Sequence, residues 1–379
     1  MAAGGRRLSM RVLLVDLDRN WRGGQEQALL LLEGLRARGH NAELIATQHA
    51  PLAKRAAEAQ IPVHTVSGKA RRWGAAWMVS RLLRRRRFEV VHVNEPHALF
   101  AAWVARAHRH AALVIARRVA IPVPRNRISL IRYRAAARLV AISQVVREDL
   151  LAARLDPPGV DVVADGVKLP PPISSEERRR ARERWNFSPD GRVLSFVASL
   201  TKEKGHALLL EAFGALRQQA PCSRLLLAGG GPLRAQLERQ AREAGLGDSV
   251  IFAGFVEDVR SIHAASDLFV FPALNEGAGS ALLSAMACGL PVVALARGGV
   301  REIVDDGRNG LLIENVTAPS FASAVLRLLG DAELAQRLAR AGQLTVAERF
   351  SADRMVEDTL MIFQRLARCD VPSAERAMV

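Results

Sequence analysis

The 379-residue sequence has few cysteines, few aromatic residues and no long apolar run. Its three cysteines, Cys222, Cys288 and Cys369, stand apart without paired spacing, so the sequence favours neither a disulfide framework nor a zinc site. No apolar run approaches the roughly 20 residues that span a bilayer. The apolar run before Asp16 is too short for a secretory signal, and we therefore expect a cytoplasmic protein.

Positive charge is what the sequence has in excess, and the excess lies in its first half. The formal net charge is +16. Residues 1–170 contain 29 lysines and arginines against 13 acidic residues, whereas residues 171–379 contain 25 of each. Such an asymmetry indicates that one module of the protein meets an anionic partner.

The densest positive charge lies in residues 71–87, where seven arginines interleave with Trp73, Trp77 and aliphatic residues. The segment predicts a basic amphipathic helix, or a loop followed by one, of the kind that lies on an anionic membrane surface. The alternative is a solvated arginine face whose tryptophans belong to the core. We expect no nucleic-acid partner, because no nucleic-acid-binding motif accompanies the charge.

Short apolar runs alternate with amphipathic helical stretches along the chain, which predicts a doubly wound α/β fold. Five prolines between residues 157 and 172 precede a charged helical stretch and indicate a linker. We therefore predict domains at 1–168 and 191–350, a linker at 169–190, and a helix with a tail at 351–379. A ligand cleft between the domains is the expectation for such sheets. The predicted strands are 11–17, 41–47, 89–94, 112–117, 138–143, 192–199, 223–229, 249–255, 267–273 and 290–296.

Candidate ligand-binding residues lie on loops that follow predicted strands. Gly23 and Gly24 begin a helix, and Lys204 with Gly205 begins another, so both loops offer a positive helix end to an anion. By themselves, a tight turn and a solvated lysine explain these residues equally well. Glu276 precedes a segment with little side-chain bulk, in which backbone N–H groups can approach a ligand closely. That segment consists of Gly277, Ala278, Gly279 and Ser280.

Several short motifs follow one another in a fixed order along both halves. In the second half they are EKG at 203–205, AGGGP at 228–232, EG followed by SALLSAMACGLPVVA at 276–294, GG-REIVDDG at 298–307 and NGLLIE at 309–314. In the first half they are GGQEQALLLLEGLRARGH, FEVVHVNEPHALFAAW, LVAISQVVREDL and VVADGV. Together they resemble family four of the retaining glycosyltransferases with the GT-B fold, over about residues 10–365.

The resemblance implies two Rossmann-like domains facing across a cleft, the first for the acceptor and the second for a nucleotide-sugar, with a terminal helix returning to the first domain. It implies that Lys204 and Glu276 are catalytic, Lys204 beside the departing diphosphate and Glu276 beside the transferred sugar. The implied donor-binding residues are Gly24, Ser199, Lys204, Gly205, Gly230, Val256, Glu276, Gly277, Ala278, Gly279, Ser280 and Ser284. The acceptor-side candidates are Gly23, His92, His97 and Arg118, with a structural role as the alternative for both histidines.

The chain departs from the family pattern at three positions. The family signature has two acids separated by seven residues, and here Glu276 is followed by Ser284 where the family holds the ribose with a carboxylate. Ser199 stands where the family often has an arginine for the diphosphate. Arg118 stands in a segment where many members carry a histidine, and an arginine binds phosphate but does not act as a base. These departures predict weaker contacts to the nucleotide.

The sequence therefore predicts a glycosyltransferase that moves a sugar from a nucleotide-sugar to a lipid-linked or cell-envelope glycan with retention of configuration, at an anionic membrane surface. Asp16 and Asp18 match an acid-x-acid pattern that can hold a divalent metal ion, but two acids at a strand end arise easily, and we predict neither a metal ion nor a cofactor. Two alternatives remain open: a nucleotide-sugar epimerase of the same fold, and a non-catalytic subunit that binds a nucleotide-sugar.

Overall fold

The computed structural model describes residues 9–68, 70–119, 123, 126–155 and 159–369. These residues form two compact units. The first contains the described residues up to Gly166 together with those from Ala352 onward, and the second is Val167–Ser351. Each unit is built around its own parallel sheet.

The first unit begins with a strand and alternates strands with helices. Its strands are β1 Arg11–Asp16, β2 Asn41–Thr47, β3 Val63–Val66, β4 Val90–Val93, β5 Ala112–Arg117, β6 Arg138–Ala141 and β7 Val160–Val162. Its helices are α1 Gly23–Ala37, α2 Pro51–Glu58, α3 Arg71–Arg85, α4 Pro96–Val104, α5 Arg127–Arg134 and α6 Gln144–Ala152, to which the last helix of the chain is added below.

The sheet of the first unit has seven strands in the order β3-β2-β1-β4-β5-β6-β7. The strand order reverses between β1 and β4, and in open sheets of this kind ligands bind outside the carboxyl ends of the strands at such a switch point. The inner strands are buried almost throughout, which explains their continuous apolar sequences.

The second unit repeats the same alternation. Its strands are β8 Val193–Val197, β9 Arg224–Ala228, β10 Val250–Gly254, β11 Leu268–Phe271, β12 Val292–Leu295 and β13 Leu311–Ile313. Its helices are α7 Ser175–Arg184, α8 His206–Gln219, α9 Arg234–Glu243, α10 Val259–Ala265, α11 Ser280–Ala287, α12 Val300–Ile303, α13 Ala318–Gly330 and α14 Ala332–Arg349. The strand order is β10-β9-β8-β11-β12-β13, so the switch point lies between β8 and β11.

The chain ends its described part in α15, Ala352–Cys369, which packs in the first unit. Met355, Val356, Leu360, Ile362 and Phe363 belong to the same buried cluster as the apolar face of α1. Helices α1 and α15 pack closely at Gly34 of α1, where a Cβ would come within 2.4 Å of Val356. The first unit therefore takes its core from both ends of the described chain.

The predicted doubly wound α/β class with two parallel-sheet units is confirmed. The segment 169–190, which we predicted to be a linker, contains α7, which packs in the second unit. Ala181 and Phe187 are buried there with residues of α10, and Arg178 and Arg182 bind the carboxylate of Asp267 at 2.5 and 2.7 Å. The prolines near this segment indicate a domain boundary. They do not indicate where α7 packs, because α7 contacts residues that are distant in sequence.

Among the described residues, the structure has no helix that is both long enough and apolar enough to cross a membrane.

Candidate active site

The predicted catalytic residues meet at the switch point of the second unit. Lys204 ends a 3₁₀ turn, Lys202–Lys204, that follows β8, and Glu276 lies in the loop that follows β11. Lys204 Nζ donates to Glu276 Oε2 at 2.6 Å, and the two side chains are only 22% and 15% exposed. The other carboxylate oxygen, Oε1, accepts from the backbone N–H of Gly277 at 3.1 Å. A cation and a carboxylate are thus held side by side at the ligand-binding edge of the sheet.

Backbone contacts hold the loops of this pair together. The N–H groups of Leu274 and Asn275 donate to the carbonyl of Glu203 at 2.8 and 3.3 Å. Gly205 has a φ of +72°, and a Cβ on it would come within 2.0 Å of the carbonyl oxygen of Pro272. Only glycine allows this approach, because both the backbone conformation and the space exclude a side chain. The position of Lys204 beside Glu276 is therefore fixed by the backbone.

The small-residue segment after Glu276 leads into α11. Gly277 and Gly279 are buried, and Gly279 precedes the helix in a left-handed conformation with a φ of +76°. The first turn of α11, which begins at Ser280, presents N–H groups without intrahelical partners and the positive end of the helix dipole. Glu276 itself is fixed from the other side, since Gly299 N donates to its carbonyl at 3.0 Å. The segment is suited to an anion beside the Lys204–Glu276 pair.

Three further predicted donor-binding residues lie on the loops after β8, β9 and β10. Ser199 is exposed, with its Oγ 3.5 Å from Thr201 Oγ1. Gly230 is exposed and its carbonyl accepts from Leu200 N at 2.9 Å, which ties the loop after β9 to the loop after β8. Val256 is half-buried beside an exposed neighbour, Phe255. These loops lie at the same edge of the sheet as Lys204, because all its strands run parallel.

Ser284 lies in α11 and has a protein partner that the sequence did not indicate. Its Oγ is 3.2 Å from Nε2 of His263, a fully buried histidine of α10. Burial, and then the charge of Arg260, lower the pKa of His263 to about 3, so the ring is neutral at physiological pH. A lone histidine in an apolar helix gives no signal of this contact. One bond of the Ser284 hydroxyl is thus already used within the protein.

The first unit has a polar network at its own switch point. Gly23 begins α1, and the carbonyl of Gly24 accepts from Asn94 Nδ2 at 2.8 Å. Asn94 Oδ1 accepts from Arg118 Nε at 2.7 Å, and the Arg118 guanidinium forms an ion pair with Asp165. Arg118 is therefore neutralised and holds the Gly-Gly loop through Asn94. Sequence reasoning missed Asn94 and Asp165, which follow strand segments as single polar residues.

Asp16 is buried within the same network. Gln25 Nε2 donates to Oδ1 and Oδ2 of Asp16 at 3.2 and 3.0 Å, and Asn94 Nδ2 donates to Oδ2 at 2.9 Å. Burial raises the pKa of Asp16 despite these bonds. Asp18 contributes its backbone N–H to Asp16 Oδ1 at 3.0 Å. Within the described residues, no group of three or more histidine, cysteine, aspartate or glutamate residues could hold a metal ion.

The two acceptor-side histidines differ in the structure. His92 is a correction to the predicted site: it is 1% exposed within β4 and packs on Phe363 with ring centroids 5.7 Å apart, so no ligand can reach it. Burial, and then Arg118, lower its pKa to about 3. His97 is half-buried on the first turn of α4, and its pKa is lowered by burial and then by Arg71. His97 therefore remains a candidate.

The helix that carries His97 is capped by a carboxyl group of unusual pKa. Glu95 accepts from the N–H groups of His97 and Ala98 at 2.5 and 2.7 Å, and from Leu17 N at 3.1 Å. Burial raises the pKa of Glu95 to about 7. The cap joins the start of α4 to the loop after β1, so His97 and Asp18 lie at one edge of the sheet.

Family models match both halves of the chain. Residues 21–169 match the family described as Glycosyltransferase Family 4, and residues 177–345 match the family described as Glycosyl transferases group 1. A D-inositol 3-phosphate glycosyltransferase of Salinispora tropica is 35% identical over 245 residues, 60% of this chain and 51% of that protein. A GDP-mannose-dependent alpha-(1-6)-phosphatidylinositol monomannoside mannosyltransferase of Mycolicibacterium smegmatis is 34% identical over 196 residues, 49% of this chain and 50% of that protein.

The chain spans about half the length of the curated relatives it matches. The fold is matched more fully. Anabaena Alr3699/HepE, solved in complex with UDP and glucose, superposes with a TM-score of 0.82 at 20% identity, covering 94% of this chain and 99% of that one. A glycosyltransferase from Rickettsia africae superposes with the same TM-score at 19% identity, covering 94% and 98%. By the sequence of both halves and by fold, the chain belongs to the glycosyltransferases of the GT-B type.

Proposed function

We propose that the protein transfers a sugar from a nucleotide-sugar to an acceptor hydroxyl, with Lys204 and Glu276 as catalytic residues. The observation that carries the proposal is the contact of 2.6 Å between Lys204 Nζ and Glu276 Oε2 at the switch point of the second unit. A cation beside the start of α11 suits a diphosphate leaving group, and a neighbouring carboxylate suits sugar hydroxyls.

The chemistry follows from charge that develops as the nucleotide diphosphate departs. Departure leaves an oxocarbenium-like centre on the sugar and negative charge on the phosphate oxygens. Lys204 and the N–H groups from Gly277 to Ser280 stabilise that negative charge. Glu276 exchanges its contact with Lys204 for hydroxyls of the sugar when the donor binds. We further propose that transfer proceeds without a metal ion, because this cation and these N–H groups meet the need for positive charge. Retention of configuration is proposed from the resemblance of the sequence motifs to retaining glycosyltransferases.

A nucleoside diphosphate sugar is the proposed donor. The structural neighbour from Anabaena was solved with UDP and glucose, and the mycobacterial relative is named for GDP-mannose, so nucleotide-sugars of different bases occur among similar proteins. The exposed loops around Gly230 and Val256 would receive the base.

A lipid-linked or cell-envelope glycan is the proposed acceptor, bound by the first unit on the cytoplasmic face of an anionic membrane. The excess of positive charge in residues 1–170 supports it, as does the mycobacterial relative named for a phosphatidylinositol substrate. His97 and the Gly23–Gly24 loop lie at the edge of the sheet where such an acceptor would be held. Arg118 would support that loop through Asn94 without contacting the acceptor.

Incubation with radiolabelled nucleotide-sugars and membrane extract tests the proposal. Label in lipid or polymer with the wild type, and its loss in Glu276→Gln, is the expected result. Interconversion of the free donor would instead indicate the epimerase. Binding without either reaction would indicate a non-catalytic subunit, an alternative favoured by exposed Ser199 and by the bond that already engages Ser284. Either of these two outcomes would overturn the proposed transfer.

A further inference from the structure

Helix α3 has apolar side chains both on its buried face and on its exposed face. Ala75, Ala76, Val79 and Leu82 are buried against the first unit. Trp73 and Trp77, four residues apart and so on one face of the helix, are 65% and 59% exposed. The alternative in which the tryptophans belong to the core is therefore wrong. Two large exposed aromatic side chains on one helix face are typical of an interaction surface.

Apolar side chains continue from the exposed tryptophans of α3, across half-buried Phe100 of α4, to exposed isoleucines of α5. The Phe100 ring of α4 lies perpendicular to the Trp73 ring with centroids 5.3 Å apart. The Arg132 guanidinium of α5 lies 5.8 Å from the centroid of the same Phe100 ring. Two isoleucines of α5, Ile128 and Ile131, are 61% and 52% exposed. The sequence did not single out α5, because a short helix with a few apolar residues resembles any other surface helix.

Arginines surround these apolar residues without acidic residues in the same segments. Residues 59–88 and 96–147 contain no aspartate or glutamate. Arg81 lies 5.2 Å from the ring of Trp77, and Trp77, Arg81, Arg84 and Arg85 line one shallow hollow with Ser80. A second hollow is lined by Leu83, Arg84, Arg85, Arg86, Arg87, Phe88 and His110. Arg86 is paired with Glu43 at 2.7 Å, and the positive charge of the other arginines is concentrated around the same end of α3.

We propose that α3, α4 and α5 form a docking face for an anionic lipid bilayer, in which Trp73, Trp77, Ile128 and Ile131 enter the interface and the arginines of the α3 end contact phosphate headgroups. Apolar insertion and charge attraction together give stable membrane binding where either alone is weak. A nucleic acid would use the arginines but not the isoleucines of α5. A symmetric second copy would bring arginines of like charge together, which disfavours self-association.

The docking face borders the acceptor-side edge of the sheet. Phe100 follows His97 by one helical turn of α4, and Trp73 of α3 contacts Phe100. Arg71 and Arg72 are close enough to His97 to lower its pKa. A lipid-borne acceptor would therefore reach His97 directly from the bilayer. This last step rests on the proposed function, whereas bilayer binding itself does not.

Vesicle flotation tests the docking face with the full chain and no donor. Vesicles contain either phosphatidylglycerol with phosphatidylcholine or phosphatidylcholine alone. We expect binding to the anionic vesicles only, and release by salt, which screens surface charge within about 8–10 Å. We expect at least a tenfold loss of binding in the apolar variant Trp77→Ser/Ile128→Ser/Ile131→Ser and in the charge variant Arg84→Ser/Arg85→Ser.

Matched controls come from exposed residues of α14 in the second unit. Leu344→Ser removes an apolar side chain that is 63% exposed, and Arg337→Ser/Arg340→Ser removes two exposed arginines. Both controls should bind vesicles as the wild type does. Melting curves of every variant should match the wild type, because each altered side chain is exposed or half-buried.

Several results would overturn the docking face. Equal binding to neutral vesicles would remove the anionic partner. Wild-type binding of the apolar variant, with loss only in the charge variant, would indicate a general polyanion site. A dimer in sedimentation velocity that the apolar variant dissociates would assign the surface to a second copy. Vesicle binding without sugar transfer would contradict only the proposed function. Transfer to a soluble acceptor without vesicle binding would contradict the docking face and the proposed membrane acceptor, but not transfer from a nucleotide-sugar.

Discussion

Glu276 is the ion-pair partner of Lys204, and the pair neutralises two partly buried charges. Under the proposed mechanism, the carboxylate would change partners when a nucleotide-sugar binds. The pair would cost little to open, because the diphosphate would replace the carboxylate as the anion beside Lys204. The carboxylate would then accept hydrogen bonds from sugar hydroxyls.

Glu276→Gln should reduce transfer by more than tenfold while the protein stays folded. The amide keeps the size of the side chain but loses the charge that accepts from sugar hydroxyls and balances Lys204. A tenfold reduction corresponds to about 1.4 kcal/mol of the barrier. Glu203→Gln, a change of the same kind one residue before Lys204, serves as the control in steady-state kinetics and melting curves. Retention of more than a tenth of kcat in Glu276→Gln would remove its assigned role.

Ser284→Glu should tighten nucleotide binding if Ser284 lies beside the ribose. A carboxylate bonded to a diol gives charge-assisted hydrogen bonds worth about 1.5–3 kcal/mol. His263, 3.2 Å from the present hydroxyl, would then face a carboxylate, so the pKa of His263 should rise from about 3. Calorimetry with UDP, GDP and ADP measures the affinity, and NMR measures the histidine. A folded variant whose affinity is unchanged for every nucleotide would show that this residue does not face the ribose.

Lys204 and Glu276 lie together in the structure, whereas His92 is buried, and the difference has a physical reason. Lys204 and Glu276 lie in loops that follow strands, and in a parallel sheet all such loops share one edge, so sequence position alone brings them near each other. A residue inside a strand faces one side of the sheet or the other, and what covers that side comes from elsewhere. His92 is covered by Phe363 of α15, a helix that lies far from His92 in the sequence.

Among the elements, the loop between β8 and α8 has little freedom to vary. Gly205 combines a φ of +72° with a Cβ position 2.0 Å from Pro272 O, whereas Gly245 has a φ of +70° and no atom within 4 Å of its Cβ position. A side chain at either glycine would therefore strain the backbone, but only a side chain at Gly205 would also collide with a neighbouring atom. Only Gly205 lies beside a predicted catalytic residue.

Gly205→Ala should cost much more stability and activity than Gly245→Ala. A left-handed alanine costs about 1–2 kcal/mol, and we expect that amount for Gly245→Ala in denaturant unfolding. Gly205→Ala adds a collision with the backbone of Pro272, so Lys204 must move from Glu276 and transfer should fall with stability. Equal unfolding free energies for the two variants would mean that the collision relaxes without moving the loop.

Strands with a continuous apolar run were predicted closely, even where the strand is short. The prediction at 41–47 matches β2, and that at 112–117 matches β5. The strands β3, β7 and β13 were missed, because the sequence of β3, VHTV, is mixed and the three residues of β7 and of β13 give no reliable period. These strands form because they pair with a neighbouring strand, and sequence periodicity does not show that pairing.

For the whole molecule, the two units should respond differently to acid. In the second unit, burial lowers the pKa of His206 to about 4 and that of His263 to about 3. Because these values lie below the ordinary 6.5, the unfolded chain takes up protons first as the pH falls. Their stabilising contribution is therefore complete above about pH 6.5 and is lost toward pH 3–4. At pH 5 each histidine should have lowered the free energy of unfolding of the second unit by about 2 kcal/mol.

In the first unit two buried groups oppose each other. His92, with a pKa of about 3, lowers stability on acidification by a similar amount. Glu95, whose pKa is raised to about 7 from 4.5, does the reverse: its stabilising contribution is complete below pH 4.5 and is lost as the pH rises through 7. Between pH 7 and pH 5 these two changes nearly cancel, and Asp16, whose pKa is also raised by burial, adds stability as the pH falls. His97 and His108 are more exposed and add less.

Acidification from pH 7 to pH 5 should therefore destabilise the second unit by about 4 kcal/mol and should not destabilise the first. Hydrogen exchange read by mass spectrometry follows the peptides of each unit separately in the same sample. His263→Gln, which keeps a side-chain partner for Ser284, should remove about half of the loss in the second unit, because one of its two buried histidines no longer titrates. His110→Gln, a change of the same kind outside the core, should leave the loss intact. The comparison uses the difference between the two pH values, so a general destabilisation by His263→Gln does not obscure it. Equal losses in both units would show that Glu95 does not offset His92, and an unaltered loss in His263→Gln would show that its burial is not what makes the second unit sensitive to acid.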